Sequence, residues 1–235
     1  MEPSPRYAIY FAPARESKLA SFGSRLLGYD AWSGQDRAFP QFAIAAAPDW
    51  PELTADPRKY GFHATLKAPF TLAADKSEAE LAAACDVFAD TRRSIPVIRP
   101  VISAIAGFIA LTPEQPGCEL QQLAFDCVTA FDGFREALSA EDRARRRPDE
   151  LTPRQLQYLE RWGYPYVAEE FRFHMTLTGR LPEERRQATL NLLRDRFAAI
   201  SVGTVAIDRI ALCRQLDAND RFRILADWTF RPDPA

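Results

Sequence analysis

Residues 60–67, Tyr60-Gly61-Phe62-His63-Ala64-Thr65-Leu66-Lys67, contain one of only two histidines in this 235-residue chain. The other histidine lies in a matching stretch, Phe171-Arg172-Phe173-His174-Met175-Thr176-Leu177-Thr178. Each histidine opens a His-x-Thr-Leu element, and polar and apolar residues alternate around it as they do on a half-buried β-strand. The sequence therefore predicts one such strand in each half of the chain, at residues 60–67 and 170–178.

Each predicted strand has a polar face, because side chains alternate between the two sides of a strand. The polar face holds His63, Thr65 and Lys67 on the first strand, and Arg172, His174, Thr176 and Thr178 on the second. A histidine and a threonine two positions apart on one face stand roughly 7 Å from each other. An imidazole, a hydroxyl and a cation at this spacing suit proton transfer around a phosphate group.

The segments around the motif strands repeat one order of elements. Each half predicts a motif strand, a helix (residues 76–90 or 182–197) and two strands close enough in sequence to be antiparallel neighbours. This order favours a duplicated α+β unit over a doubly wound parallel sheet. Pro69 is expected to end the first motif strand, and a further helix is predicted over residues 119–138.

Two long segments give weaker patterns. Residues 30–57 contain four prolines and are predicted to be a long loop or an irregular excursion. Residues 141–150 carry an arginine run whose charge the flanking acidic residues cancel, so a solvated loop is favoured over a phosphate-binding arm. The aromatic residues at 162–166 fit either a stacking platform for a base or a turn packed on the core.

The composition excludes some functions. The formal net charge is −2, which argues against strong attraction to long nucleic acid, although a small anion or one nucleic-acid end stays compatible. The four cysteines form no Cys-x-x-Cys pair. No apolar stretch approaches the roughly 20 residues needed to span a bilayer, so a cytoplasmic protein without membrane contact is expected.

The two histidines have three other interpretations. They could be structural residues on a polar sheet face. They could bind a metal, but neither strand offers a third carboxylate or thiolate ligand on the histidine face. A nucleophilic triad is disfavoured because the chain has no Gly-x-Ser-x-Gly segment.

The paired His-x-Thr-x elements resemble those of the two-histidine (2H) phosphoesterase superfamily, which includes 2′-5′ RNA ligase-like proteins and cyclic phosphodiesterases. With residues 162–167, they look like the branch associated with phosphonate-utilisation operons. The resemblance implies a single bilobal α+β domain over residues 1–235, with two antiparallel-rich sheets facing a central cleft. The approximate lobes are residues 1–112 and 113–235.

The resemblance also implies hydrolysis of a cyclic phosphodiester, such as a cyclic ribose phosphate or a 2′,3′-cyclic nucleotide, without metal or cofactor. The expected catalytic residues are His63, His174, Thr65 and Thr176, and the expected substrate-binding residues are Lys67, Arg172, Thr178, Tyr10 and Tyr166. Both imidazoles are expected near their ordinary pKa of about 6.5, where they could exchange acid and base roles. The alternatives are a module that binds a nucleotide or phosphorylated metabolite without turnover, and a scaffold for enzymes of the phosphonate pathway.

Overall fold

The computed structural model describes residues 5–91 and 93–232. The strands are β1 (Arg6–Phe11), β2 (Tyr29–Asp30), β3 (Gln35–Asp36), β4 (Ala64–Thr71), β5 (Val97–Ile98), β6 (Pro100–Ile105), β7 (Phe108–Pro113), β8 (Met175–Thr176), β9 (Val205–Ala206), β10 (Arg209–Gln215) and β11 (Arg223–Thr229). The helices are α1 (Lys18–Leu27), α2 (Gln41–Ala46), α3 (Trp50–Leu53), α4 (Ala55–Arg58), α5 (Glu78–Asp90), α6 (Cys118–Ala130), α7 (Ala140–Arg145), α8 (Pro153–Trp162) and α9 (Glu183–Ala199). Short 3₁₀ helices cover Asp132–Phe134, Pro148–Glu150 and Ala168–Glu170.

Seven of these strands form one antiparallel sheet in the order β11-β10-β1-β4-β8-β7-β6. The two motif strands, β4 and β8, are hydrogen-bonded neighbours near its centre. The hairpin β6–β7 follows β4 in the chain but joins the sheet beside β8. The hairpin β10–β11 follows β8 but joins beside β1 on the other flank. The two halves of the chain are therefore interleaved in the sheet.

The predicted order of motif strand, helix and two strands is present in both halves, with one additional short strand after each helix: β4-α5-β5-β6-β7 and β8-α9-β9-β10-β11. The two additional strands, β5 and β9, pair with each other. The α+β class and the antiparallel strands are confirmed. The strands of both halves are joined in a single main sheet, so the motif strands meet by direct pairing and the cleft lies over that sheet.

Strand β1 shows how the sheet separates core from site. Tyr7, Ile9 and Phe11 point into the large apolar core that the helices cover. Tyr10 points to the other face, where it packs with Phe222 in a smaller cluster. The site lies on this second face.

Several boundaries differ from the sequence predictions. Strand β4 continues through Pro69, because the register of β1 with β4 shifts next to this residue and the missing N–H falls at the irregularity. Regular pairing of the second motif strand is confined to Met175–Thr176 instead of residues 170–178. At its start, Ala168–Glu170 form a 3₁₀ turn, and at its end the amides of Leu177 and Thr178 both donate to the carbonyl of Ile109. Helix α6 ends at Ala130, where the chain passes into another 3₁₀ turn.

The two weakly patterned segments also contain regular structure. Residues 30–57 form the ribbon β2–β3 and the short helices α2, α3 and α4. They are held to the core by Trp50, which is fully buried and donates through Nε1 to the carbonyl oxygen of Leu26 at 2.8 Å. The polar run at 141–150 includes α7, which begins after the Ser139 cap. Among the described residues, no helix is both long and apolar enough to cross a membrane.

Candidate active site

The pairing of β4 with β8 brings the two motifs together. Ala64 lies opposite Met175 in an antiparallel register. The neighbouring positions in that register set His63 against Thr176 and Thr65 against His174. These four side chains share the face opposite Ala64 and Met175, and all four line one cavity of about 380 Å³, called the histidine cavity below. The four predicted catalytic residues are thus placed in one site with approximate twofold symmetry.

Both imidazoles are oriented by the same backbone contact. Nδ1 of His63 donates to the carbonyl oxygen of Gly61 at 3.0 Å, and Nδ1 of His174 donates to the carbonyl oxygen of Arg172 at 2.7 Å. A carbonyl oxygen can only accept, so Nδ1 carries the proton in both rings. The neutral rings therefore keep their lone pair on Nε2, the edge available for proton transfer.

His63 lies in a more enclosed environment than its sequence suggested. Its ring stacks on Tyr10 with centroids 3.7 Å apart, and its Nε2 accepts from the Thr65 hydroxyl at 3.2 Å. Burial lowers the pKa of His63 to about 4, a hydrogen bond to Gly61 opposes this shift, and the nearby His174 adds to it. The expectation of an ordinary pKa near 6.5 is therefore wrong for His63, because tight packing removes water from its ring.

Gly61 sets the entry of the chain into β4. Its φ is +76°, and an added Cβ would lie 2.7 Å from the Cβ of Ala31. The left-handed conformation turns its carbonyl toward His63, so this glycine fixes the orientation of the imidazole.

Two predicted binding residues, Lys67 and Thr178, do not face the cavity, because the strand pairing becomes irregular just after each motif. On β4, Tyr10 pairs with Thr65 but Ile9 pairs with Lys67, so one additional residue of β4 is accommodated and the alternation is broken. In the second motif, the amides of both Leu177 and Thr178 donate to the carbonyl of Ile109. The prediction that the fourth residue after each histidine shares its face is wrong for this reason.

Lys67 is buried beneath β4 instead of lining the cavity. Its Nζ donates to the carbonyl of Val128 on α6 at 3.0 Å and lies 3.3 Å from the Asp132 carboxylate. Burial lowers its pKa to about 8, although Asp132 opposes the shift. Thr178 is likewise buried, accepts from the amide of Ile109 and donates to the carbonyl of Gly179. Both side chains serve the fold rather than the cavity.

The other predicted binding residues lie around the histidines. Tyr10 lines the histidine cavity and supports His63. Arg172 and Tyr166 line an adjoining apolar recess of about 380 Å³, which shares Thr65 and His174 with the histidine cavity. Nη1 of Arg172 donates to the carbonyls of Glu169 and Phe171, so part of its guanidinium is already engaged.

Three arginines on the cavity wall were missed by the sequence interpretation: Arg6, Arg145 and Arg146. Arg145 is paired with Glu141 and Asp142 on α7. Arg146 lies over the ring of Tyr164, 5.0 Å from its centroid. The charge of residues 141–150 sums to zero, so the sequence did not indicate which of these arginines are paired. Strand alternation could have identified Arg6, because it lies four residues before Tyr10 on the same face of β1.

No group of three His, Cys, Asp or Glu side chains within residues 5–91 and 93–232 is arranged to hold a metal ion. Metal independence stays a prediction, which treatment of the protein with a chelator tests.

Two paired His-x-Thr elements around one cavity agree with the resemblance to two-histidine phosphoesterases. Residues 65–223 match the family described as "Protein of unknown function (DUF1045)". The chain belongs to this family. Its matched region begins two residues after His63 and includes His174.

Curated relatives include two proteins named ribose 1,5-bisphosphate phosphokinase PhnN. The one from Janthinobacterium sp. (strain Marseille) is 37% identical over 224 residues, covering 91% of this chain and 48% of that protein. The one from Laribacter hongkongensis (strain HLHK9) is 38% identical over 178 residues, covering 76% of this chain and 41% of that protein. The chain thus spans about half the length of the curated relatives it matches.

Similar solved structures include E. coli LigT complexed with 3′-AMP, with 16% identity, a TM-score of 0.46 and coverage of 97% of this chain and 99% of that chain. Another is described as a phosphoesterase, with 15% identity, a TM-score of 0.43 and the same coverage.

Proposed function

We propose that the protein is a phosphoesterase that hydrolyses a cyclic phosphodiester of a ribose-containing substrate. The observation that carries the proposal is the pairing of Ala64 with Met175, which sets two His-x-Thr pairs around one cavity. Two imidazoles with equivalent Nδ1 anchors supply the base and the acid that hydrolysis of a phosphodiester needs.

The environments of the two histidines suggest their roles. His63 is held neutral at neutral pH, so its Nε2 can accept a proton from the attacking water. An anionic phosphodiester beside it raises its pKa and strengthens it as a base. For its part as the acid, His174 must carry a second proton, on Nε2, and it donates this proton to the ester oxygen that leaves phosphorus. One P–O bond forms to water, one breaks, and the product is a phosphomonoester with a free hydroxyl.

The two threonines complete the site. Their hydroxyls donate to the non-bridging phosphate oxygens as negative charge develops. When substrate binds, the Thr65 hydroxyl donates to a phosphate oxygen instead of to Nε2 of His63. Nε2 is then free to accept a proton from the water. Ribose as the carrier is supported by the names of the curated relatives, whose stated substrate is a ribose bisphosphate. A role in phosphonate utilisation belongs to the same proposal.

Single replacement of either histidine by alanine tests the proposal. The wild-type protein is incubated with 2′,3′-cyclic nucleotides and ribose 1,2-cyclic phosphate, with and without a chelator, and the products are identified by phosphorus NMR. We expect turnover that the chelator leaves intact and a loss of about 10²–10⁴-fold in each variant. Unchanged turnover in His63→Ala or His174→Ala contradicts the assignment of base and acid. Loss with chelator and recovery with zinc or manganese supports metal catalysis instead.

Calorimetry on the same samples separates turnover from binding alone. Saturable binding with no product after hours identifies a nucleotide- or metabolite-binding module. A double histidine variant that still supports growth on phosphonate identifies a scaffold.

A further inference from the structure

Two arginines on the wall of the histidine cavity have no acidic partner among the described residues. Arg6 donates at 3.4 Å to the side-chain oxygen of Gln215 and lies 5.9 Å from the ring centroid of Phe222. Arg146 lies over Tyr164. Their neighbour Arg145 is paired with two carboxylates, including that of Asp142, which also lines the cavity. The charges of Arg6 and Arg146 are therefore available to an anion.

Both arginines line the histidine cavity. They also line an adjoining depression that contains neither histidine. The histidine cavity also adjoins the apolar recess, with which it shares Thr65 and His174. Along β1, Arg6 is four residues from Tyr10 on the same face, about 13 Å between Cα atoms. A pentose in this subsite would have to bridge the separation that remains between the Arg6 guanidinium and His63.

We infer that Arg6 and Arg146 form a subsite for a second, non-reacting phosphoryl group carried by the same pentose as the cyclic phosphodiester. This inference rests on the proposed function and narrows its substrate class to cyclic phosphates that bear a phosphomonoester. Guanidinium groups bind phosphate oxygens through paired, charge-assisted hydrogen bonds. Binding energy from this remote group holds the reacting phosphate against Thr65 and Thr176.

The test compares two ligands that differ by one phosphate: adenosine 2′,3′-cyclic phosphate and the same compound with a 5′-phosphate. Dissociation constants are measured by calorimetry in the His174→Ala background, to avoid turnover, with and without Arg6→Gln and Arg146→Gln together. Arg143→Gln is the control, because Arg143 is paired with Glu160 and does not line the cavity. The wild-type protein is assayed for product with both ligands.

We expect the 5′-phosphate to tighten binding about 10- to 100-fold, and the double arginine variant to reduce this ratio to within about threefold. The ratio of the two dissociation constants in the Arg143→Gln variant should match the ratio in the parent protein. Equal affinities for the two ligands in the parent, or an unchanged ratio in the double variant, overturn the subsite. Absence of product from both ligands with the affinity ratio preserved overturns the proposed hydrolysis and leaves the subsite standing.

Discussion

The phenol ring of Tyr10 lies almost parallel to the imidazole of His63, with 22° between the planes and 3.7 Å between the centroids. Tyr10 is itself buried, so it excludes water from one whole face of the imidazole. The low pKa of His63 is a consequence of this packing, and it can be changed without touching the histidine.

Replacing Tyr10 by leucine should open one face of His63 to water. We expect the pKa of His63 to rise from about 4 toward its ordinary value, because burial is the main cause of its present depression. The looser imidazole should lower kcat/KM about tenfold on the substrate identified for the wild-type protein. Histidine NMR titration measures the pKa. Tyr10→Phe keeps the ring and should keep the low pKa; an unshifted pKa in Tyr10→Leu contradicts the role of the stack.

The same histidine should make stability depend on pH. An unfolded chain binds a proton at His63 with a pKa of about 6.5, whereas the folded chain binds it only near pH 4. Its contribution to the unfolding free energy is therefore complete above about pH 6.5 and is lost as the pH falls toward 4. The loss amounts to at most about 3 kcal/mol.

Urea unfolding at a series of pH values, for the wild-type protein and His63→Gln, measures this contribution. The variant should lack the part of the acid destabilisation that His63 causes. If the unfolding free energies of the wild-type protein and the variant differ by the same amount at every pH from about 4 to 6.5, the pKa of His63 is not lowered in the folded state.

Lys67 should act in the same direction as His63, but at alkaline pH. Its pKa is lowered to about 8 in the folded protein against about 10.4 in an unfolded chain. Between these values the unfolded chain holds more protons, so Lys67 makes the protein more stable as the pH rises from about 8 to 10.4, by about 3 kcal/mol. Lys67→Met should remove this rise, while Asp132 keeps Arg135 and Arg161 as partners.

The measurement is the difference between the wild-type and Lys67→Met unfolding free energies at about pH 7.5 and pH 10. At neutral pH the methionine should be neutral or stabilising, because a buried charge is replaced by an apolar chain of similar length. A large loss of activity in a fully folded Lys67→Met would show that the lysine does reach the substrate.

Gly61→Ala should disturb both stability and catalysis. Alanine is strained at a φ of +76°, and its Cβ would lie too close to Ala31. We expect a loss of about 1–3 kcal/mol in the unfolding free energy and a fall in kcat/KM, since the Gly61 carbonyl orients His63. Gly203→Ala is the matched control, because nothing lies within 4 Å of its added Cβ. Equal behaviour of the two variants would remove the positioning role of Gly61.

Strand alternation predicted which residues around each histidine share a face, and it placed Thr65 and Thr176 with the two imidazoles. It failed for Lys67 and Thr178, because irregular pairing after each motif depends on the neighbouring strands β1 and β7, which are distant in sequence.

The direct pairing of β4 with β8 is similarly a tertiary event that alternation within one strand does not encode. Charge counting gave a neutral arginine run, yet only the fold shows that Arg146 faces the cavity while Arg143 is paired outside it. The enclosure of His63 by Tyr10 depends on the register of β1, so its pKa could not be inferred from the motif.

The interleaving of the two halves determines when the site can assemble. Arg6 and Gln215 are paired across the sheet although they lie 209 positions apart. Sheets built from such distant pairings fold slowly, because the chain must close long loops before contacts stabilise them. During synthesis, β1 cannot pair with β10 before residues 209–215 have been made, whereas β7 precedes its partner β8 in the chain. We expect the first half expressed alone to expose an unpaired strand edge and to aggregate, and the histidine cavity to appear only in the last stage of folding.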